Sequence, residues 1–211
     1  MIGIIDYGMG NLFSVSKALE RLNVPYFISE NKEELLAADA LLLPGVGAFR
    51  DAIQRLNETG LSDMIRAYVT SGKPLLGICL GMQLLFEESE EGGLTTGLGI
   101  LPGKVVRFTG HTKGGLSYKV PHMGWNKLTY LHPSPILKDI AEDYVYFVHS
   151  YHVDTDEQDV VIAEAEYDVK VPAVVGRENV YGMQFHPGKS SKLGMELLRN
   201  FTELAVERSQ V

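Results

Sequence analysis

The amino-acid sequence predicts an α/β fold, a single three-layer domain over residues 1–211 with a mainly parallel central sheet and helices on both faces. In the first half, short apolar runs alternate with amphipathic ones, which is typical of strand–helix–strand units. From about residue 92, glycine and short β-type runs dominate, so the second half is predicted to be more antiparallel and to pack onto the same sheet. The chain length suits one large domain or two small ones, and no linker or repeat divides it.

Strand and helix signals alternate through the first half. Apolar runs predict strands at 2–6, 26–29, 40–43 and 74–78. Apolar residues at helical spacing predict a helix at 12–22, a short one after Asn31, two stretches split at Gly60, and another at 80–88. Because the strands are joined through helices, we expect them to be parallel, with right-handed crossovers.

The second half contains β-type runs and one closing helix. The predicted strands are 104–108, 144–149, 160–165, 173–176 and 180–185, and the predicted helix is 192–206. No crossover helices separate these strands, so we expect antiparallel pairing here.

Composition excludes several classes of protein. The chain has 27 acidic and 19 basic side chains and a net charge of −8, which argues against nucleic-acid binding. No apolar run approaches the ~18 residues of a membrane helix, and the N-terminus lacks the basic region of a signal peptide. One cysteine, Cys79, excludes an internal disulfide and a multi-thiolate zinc site. The sequence therefore predicts a soluble, cytoplasmic protein that binds neither nucleic acid nor membrane.

Cys79 lies in the segment Gly77–Gly81, between the predicted strand at 74–78 and the helix that follows. A glycine two residues before and two after a nucleophile is the pattern of a sharp strand-to-helix elbow. Such a turn places the sulfur at a helix N-terminus, where unpaired N–H groups favour the thiolate. The N–H of Leu80 would then point at whatever the sulfur attacks. The alternative is that Cys79 is a small buried hydrophobic residue.

A thiol nucleophile needs a base and an oxyanion site. Of six histidines, His186 follows a predicted strand and precedes a proline, an open position that suits a base. His149 and His152 could be read as a metal pair, but their spacing on a strand is expected to place the rings on opposite faces. The Val46–Gly47 turn ends another parallel strand, where its N–H groups could hold an oxyanion, or it could be only a structural turn.

Several segments carry a resemblance to a known family. The chain resembles the triad-type glutamine amidotransferases, and more narrowly the glutaminase subunits of imidazole glycerol phosphate synthase. The elbow and Phe-His-Pro are shared across amidotransferases, whereas Pro-Gly-Val-Gly and His-Met-Gly-Trp-Asn are much more specific to these subunits. The matching segments are 6–11, 44–49, 77–83, 121–126, 146–151 and 184–187.

The resemblance implies an enzyme that hydrolyses L-glutamine and passes ammonia to a cyclase partner in a heterodimer, with no cofactor and no metal. It implies that Cys79 attacks the side-chain amide, that His186 shuttles the proton, and that N–H groups of Leu80 and of Val46–Gly47 hold the oxyanion. The resemblance further implies a substrate-binding set, Gln83, Glu91, Ser150 and Tyr151, and a partner-facing set, Asn11, His122, Met123, Trp125, Asn126 and Lys189. Gln83 and Glu91 taken alone could instead be ordinary polar residues on a helix surface.

One position departs from the family pattern. The family reads His-Pro-Glu-Lys-Ser, whereas this chain has Gly188 where the family has the acid that orients the histidine. Two alternatives to the coupled glutaminase stay open: a catalytically silent subunit that only binds the cyclase, which Gly188 favours, and a free-standing cysteine hydrolase that uses the same elbow. The loop at 6–11 also resembles a dinucleotide-binding loop, but Phe13 occupies the position of its third glycine.

Overall fold

The structure is a computed structural model, and it describes residues 1–210 apart from the side chain of Ser209. The strands are β1 (Ile2–Ile5), β2 (Tyr26–Ser29), β3 (Ala40–Gly45), β4 (Leu75–Cys79), β5 (Glu88–Ser89), β6 (Thr95–Thr96), β7 (Lys104–Arg107), β8 (His122–Tyr130), β9 (Tyr144–His149), β10 (Tyr151–Asp154), β11 (Val161–Tyr167), β12 (Val169–Arg177) and β13 (Val180–Met183). The α-helices are α1 (Leu12–Arg21), α2 (Lys32–Leu36), α3 (Phe49–Glu58), α4 (Leu61–Thr70), α5 (Leu80–Leu84) and α6 (Ser191–Ser209).

A nine-stranded mixed sheet forms the centre of the molecule, in the order β2-β1-β3-β4-β13-β12-β11-β8-β9. The strands from β2 to β13 are parallel, and those from β13 to β9 pair antiparallel. The predicted parallel first half and antiparallel second half are therefore confirmed. In this register Gly45 pairs with Cys79.

Helices cover both faces of the sheet. Because side chains alternate along a strand, Ile4 packs in one core with α1 and α6, whereas Ile5 packs in the other with α3 and α4. This alternation produces the predicted three layers. Within residues 1–210, no helix is long and apolar enough to cross a membrane.

Not every strand of the second half belongs to the central sheet. Four strands form a separate sheet in the order β10-β7-β5-β6. Val105 and Val153 of this sheet pack in the same core as α3 and α4. The polypeptide thus leaves the central sheet at the end of β9, passes Ser150 and enters the second sheet at β10. This corner forms one wall of the cavity described below.

Several element boundaries also differ from the sequence prediction. The helix predicted at 80–88 ends at Leu84, because the chain turns there and 88–89 pairs as β5. The nine-residue strand β8 was not predicted, since alternating exposed and buried residues with an internal glycine give it little apolar signal. Strand β12 is longer than the predicted 173–176, and β13 ends at Met183 rather than at residue 185.

Candidate active site

Cys79 lies in a strained backbone conformation at the junction of β4 and α5. Its φ of 57° and ψ of −119° are outside the regions that L-residues ordinarily occupy. Strain of this kind persists only where the surroundings impose it, and it is typical of catalytic turns. The predicted elbow at Cys79 is therefore present, with the cysteine at its apex.

Two glycines allow the elbow to form. A Cβ at Gly77 would come within 2.5 Å of the carbonyl oxygen of Gly81 across the turn. A Cβ at Gly81 would lie 1.8 Å from the carbonyl oxygen of Leu43 on the neighbouring strand. Contacts this close exclude any side chain, so the turn can approach both its own strand and β3 only with glycine at these positions.

Burial opposes the preference for the thiolate that the sequence predicts at Cys79. Burial raises the pKa of the Cys79 thiol to about 12, and the nearby charge of Lys189 opposes that rise only in part. Helix α5 has only five residues, so its dipole is weak. Cys79 is a protonated thiol at neutral pH, and an anion has to be generated by proton transfer.

His186 follows β13 and begins a short 3-10 turn, Pro187–Lys189. Its Nδ1 accepts a hydrogen bond from the backbone N–H of Gly188 at 3.1 Å. Its Nε2 is buried and has no hydrogen-bond partner among the described residues. The ring is therefore less open than the sequence suggested, and an acceptor at Nδ1 means that the neutral ring carries its proton on Nε2.

The surroundings of His186 oppose its positive charge. Burial, together with the charge of Lys189, lowers the pKa of His186 to about 4. No carboxylate is present at residue 188 to offset these effects, because that residue is glycine. In the resting chain, the base and the nucleophile are thus both neutral.

The Val46–Gly47 turn follows β3 and lies beside the elbow. The side chain of Val46 is half exposed, and Gly47 has a φ of 99°, in the region that favours glycine. Gly45 is also constrained, since a Cβ there would lie 2.9 Å from the backbone nitrogen of Gly81. These contacts bring the predicted oxyanion segment against the start of α5, with Leu80 between.

A single cavity of about 320 Å³ brings these groups together. It opens at the carboxyl ends of β3, β4 and β13, the edge at which α/β sheets bind ligands. Of the predicted site residues, its lining includes Asn11, Val46, Gly47, Cys79, Leu80, Gln83, Glu91, Tyr151, His186 and Lys189. Ser150 and Gly188 are not among the lining residues.

Polar contacts hold the predicted substrate-binding residues in place. Glu91 accepts a hydrogen bond from the N–H of Phe49 at 3.1 Å, and it lies in a loop after β5 rather than on a helix. Gln83 is buried on α5 and donates to the carbonyl of Tyr151 at 3.1 Å and to Oε1 of Gln184 at 3.0 Å. The alternative that both are helix-surface residues is therefore wrong.

The predicted partner-facing residues divide into two groups. Met123 and Trp125 are exposed on β8, whereas the side chain of His122 is completely buried, so its assignment to a surface was wrong. Alternation along β8 explains this, because His122 lies on the buried side of the strand and packs against Phe108, Phe147 and Tyr167. Asn126 donates to the carbonyl of Glu166 and contacts His122 on its other side.

His149 and His152 do not lie on opposite faces, contrary to the expectation from their spacing. The chain leaves β9 and enters a different sheet at β10, and both rings contact Phe108, with centroids 5.1 and 4.5 Å away. Among the described residues, no group of three potential metal ligands forms. The cavity also contains residues to which the sequence analysis assigned no role in the active site: Gly45, Tyr146, Val148, His149, Gln184 and Phe185.

Comparison with known proteins agrees with this fold. The family model for class-I glutamine amidotransferases matches residues 3–204. The solved structure titled "Crystal structure of glutamine amidotransferase" aligns with a TM-score of 0.75 at 24% identity, covering 97% of this chain and 98% of the other. The glutaminase domain of Trypanosoma brucei CTPS with bound acivicin aligns with a TM-score of 0.67 at 18% identity, covering 98% and 93%.

Full-length relatives narrow the assignment. Imidazole glycerol phosphate synthase subunit HisH of Geobacillus kaustophilus (strain HTA426) is 64% identical over 208 residues, 99% of each chain. The subunit HisH of Bacillus subtilis (strain 168) is 58% identical over 99% of this chain and 98% of its own. The chain belongs to the class-I glutamine amidotransferases and, within them, to the HisH subunits of imidazole glycerol phosphate synthase. The predicted family is confirmed.

Proposed function

We propose that this chain hydrolyses L-glutamine to glutamate and ammonia through a thioester on Cys79. The observation that carries the proposal is the strained elbow, which presents Cys79 to the same cavity as His186. A buried helix-packing cysteine would need neither the strain nor the two obligatory glycines. The alternative of a small buried hydrophobic residue is therefore disfavoured.

Glutamine is a zwitterion, so its site needs a carboxylate for the α-ammonium and donors for the α-carboxylate. Glu91 supplies the carboxylate, and its bond from the N–H of Phe49 keeps it at the cavity wall. The Ser150–Tyr151 segment supplies the contacts to the α-carboxylate, and Gln83 anchors this segment by donating to the Tyr151 carbonyl. This arrangement directs the substrate's side-chain amide towards the elbow.

The reaction proceeds by acyl transfer. The Cys79 thiol gives its proton to Nε2 of His186 as the sulfur bonds to the amide carbon, and the carbonyl oxygen becomes an oxyanion. N–H groups of Leu80 and of Val46–Gly47 hold that oxyanion. The C–N bond then breaks, His186 returns the proton to the leaving nitrogen, and ammonia departs. Water attacks the thioester, with His186 as the base, and releases glutamate.

The resting chain is poorly prepared for this sequence, because thiol and imidazole are both neutral and Nε2 carries the ring proton. We therefore propose that a cyclase partner activates it. Exposed apolar side chains in and beside the cavity suit such a partner. Val46 and Val148 line the cavity, Met123 pairs with Val148, and Trp125 packs on the lining residue Tyr146. Activation then needs two changes: the ring proton of His186 has to move from Nε2 to Nδ1, and the N–H groups of Val46–Gly47 have to face the oxyanion. One misplaced oxyanion donor alone costs about 3–4 kcal/mol, or roughly 10²–10³ in rate.

The test is glutamine hydrolysis by the chain alone, with the cyclase subunit, and with the cyclase plus its nucleotide ligand. We expect low activity alone and at least about a hundredfold more in the liganded complex. Equal, high rates under all conditions would favour the free-standing hydrolase. No hydrolysis in a complex that forms normally would favour the silent subunit. We expect residues 1–211 to act as one domain, in the cytoplasm, without cofactor or metal.

A further inference from the structure

A chain of hydrogen bonds runs from strand β8 to the cavity through two histidine rings. Nε2 of His122 lies 2.7 Å from Oδ1 of Asn126, and Nδ1 of His122 lies 2.9 Å from Nε2 of His149. Nδ1 of His149 lies 2.7 Å from the carbonyl oxygen of Tyr151. The same carbonyl accepts from Gln83, so the chain ends on a wall of the proposed glutamine site.

Both ends of this series of hydrogen bonds are acceptors, and this determines how many protons the two histidine rings carry. The Tyr151 carbonyl can only accept, so Nδ1 of His149 is protonated. Asn126 donates its amide N–H to the carbonyl of Glu166 at 3.0 Å, so Oδ1 faces His122, and Nε2 of His122 is protonated as well. The contact between the two rings needs one more proton.

Three protons on four ring nitrogens are one more than two neutral imidazoles carry. Burial lowers the pKa of His149 to about 3, so this ring is the neutral member of the pair and accepts at Nε2. The extra proton then belongs to His122. Its ring stacks between Tyr167 and Phe147, with centroids 4.0 and 4.6 Å away, and two aromatic faces stabilise a cation between them.

We propose that His122 is a buried imidazolium and that it acts as a positioning residue, holding the Tyr151 carbonyl through neutral His149 at the wall of the glutamine site. The role in substrate binding rests on the proposed glutaminase function, whereas the charge on His122 does not. A positive charge behind this wall also favours the carboxylate end of the substrate. Loss of the proton leaves two lone pairs facing each other, and one link of the chain breaks.

Other ionisable groups surround the pair from several elements. His152 on β10 shares the Phe108 contact with His149, and its own charge would lower the pKa of His149 further. Tyr167, at the end of β11, stacks on His122, and Tyr118 lies at the edge of Tyr167. Across the cavity stand Glu91, His186 and Lys189. Burial is the larger effect and lowers the pKa of His122, and the Asn126 bond offsets this only in part. The charge on His122 is therefore assigned from the hydrogen-bond pattern and from the two stacked rings.

The first test is ¹⁵N NMR of the histidine rings in the intact, labelled chain at neutral pH. We expect one buried ring with both nitrogens protonated, assigned to His122 by its loss in His122→Gln, and one neutral ring protonated at Nδ1, assigned to His149. Two neutral buried rings at neutral pH would overturn the proposal. This result does not depend on any catalytic activity.

The second test is the pH dependence of KM for glutamine in the cyclase complex. In the wild type, we expect KM to rise as pH increases and His122 loses its proton. His122→Gln should raise KM about tenfold near neutral pH, with kcat changed less than about threefold, and should remove the pH dependence. Asn126→Asp, which gives His122 a carboxylate, should move the rise in KM to higher pH. The control is His132→Gln at an exposed position.

Two results would contradict the positioning role: an unchanged KM in His122→Gln, or an effect confined to kcat with the same pH profile. If thermal denaturation shows that His122→Gln is not folded, two other measurements still test the proposal. They are the shift in the pH dependence of KM in Asn126→Asp and the NMR spectrum of the wild type. If no complex hydrolyses glutamine, the proposed function fails, while the NMR result still decides the charge on His122.

Discussion

The backbone N–H of Gly188 donates a hydrogen bond to Nδ1 of His186 at 3.1 Å. In a catalytic triad this nitrogen instead carries a proton and donates it to an acid, which leaves Nε2 free to accept from the nucleophile. Here the contact favours the opposite tautomer. The acid of the triad is thus absent, and the backbone N–H of Gly188 occupies Nδ1 of His186, the atom that would bind the acid.

Gly188→Glu should raise kcat for glutamine hydrolysis at similar KM. A Cβ at this position would lie 3.4 Å from Nδ1 of His186 and 3.5 Å from Cβ of Ala18, so a side chain fits with small adjustments. Loss of the triad acid costs ~10⁴ in a serine enzyme, and since a thiol needs less help we expect a gain of about 10- to 10³-fold. The measurement is steady-state kinetics of both chains with the liganded cyclase.

Gly188→Gln is the matched variant for that prediction. Its amide oxygen can accept from Nδ1–H and select the tautomer, but it carries no charge to support the imidazolium. We expect an intermediate gain. If kcat stays the same in both variants, another acid already orients His186 and the role assigned to residue 188 is wrong.

Cys79→Ser should abolish glutamine hydrolysis and leave folding and partner binding intact. The hydroxyl is nearly isosteric with the thiol but has a far higher pKa, and His186, whose pKa is lowered to about 4, is too weak a base to deprotonate it efficiently. Activity is measured as glutamate release in the cyclase complex, and binding by titration of the two subunits. Retention of more than about a tenth of the activity would remove Cys79 from the mechanism.

Acid should destabilise the fold through His186. Its pKa is about 4 in the folded chain against an ordinary value of 6.5, so between these values the unfolded chain binds more protons. The neutral ring thus stabilises the fold fully above pH 6.5, and this contribution is lost as the pH falls through about 4. His186→Asn should reduce the pH slope of the unfolding free energy by about one proton in this window. An unchanged slope relative to the exposed control His132→Asn would contradict the assignment.

Gly81→Ala should destabilise the chain by more than about 4 kcal/mol or prevent folding, because its Cβ would overlap the Leu43 carbonyl. Gly114→Ala is the control, since its nearest neighbour would be Oγ1 of Thr112 at 3.8 Å, and it should change stability by less than about 1 kcal/mol. Urea denaturation compares the two. Similar midpoints would mean that the elbow is not tightly packed against β3.

Local sequence signals predicted the parts of this molecule that depend on local chemistry. Apolar runs and helical spacing identify β1, β3 and β4, and the two glycines around Cys79 identify the elbow. Gly77 is required by a contact inside the turn, whereas the contact that requires Gly81 is with Leu43 on β3, which the local pattern does not show. The side of β8 on which His122 lies depends on pairing between distant segments, and so does the entry of the chain into the second sheet at Tyr151. The raised pKa of Cys79 likewise comes from tertiary burial, which no nearby residue encodes.

Covalent labelling by a glutamine-like diazo-ketone tests the assignment of Cys79 as the glutaminase nucleophile without intermediate steps. The chain is treated in the presence of the liganded cyclase, and its peptides are then identified by mass spectrometry. We predict one adduct, on the sulfur of Cys79, that glutamine blocks and that disappears in Cys79→Ser together with glutamine hydrolysis. Glutamine hydrolysis that continues after complete modification of Cys79, or a glutamine-protected adduct on another residue, would contradict this assignment.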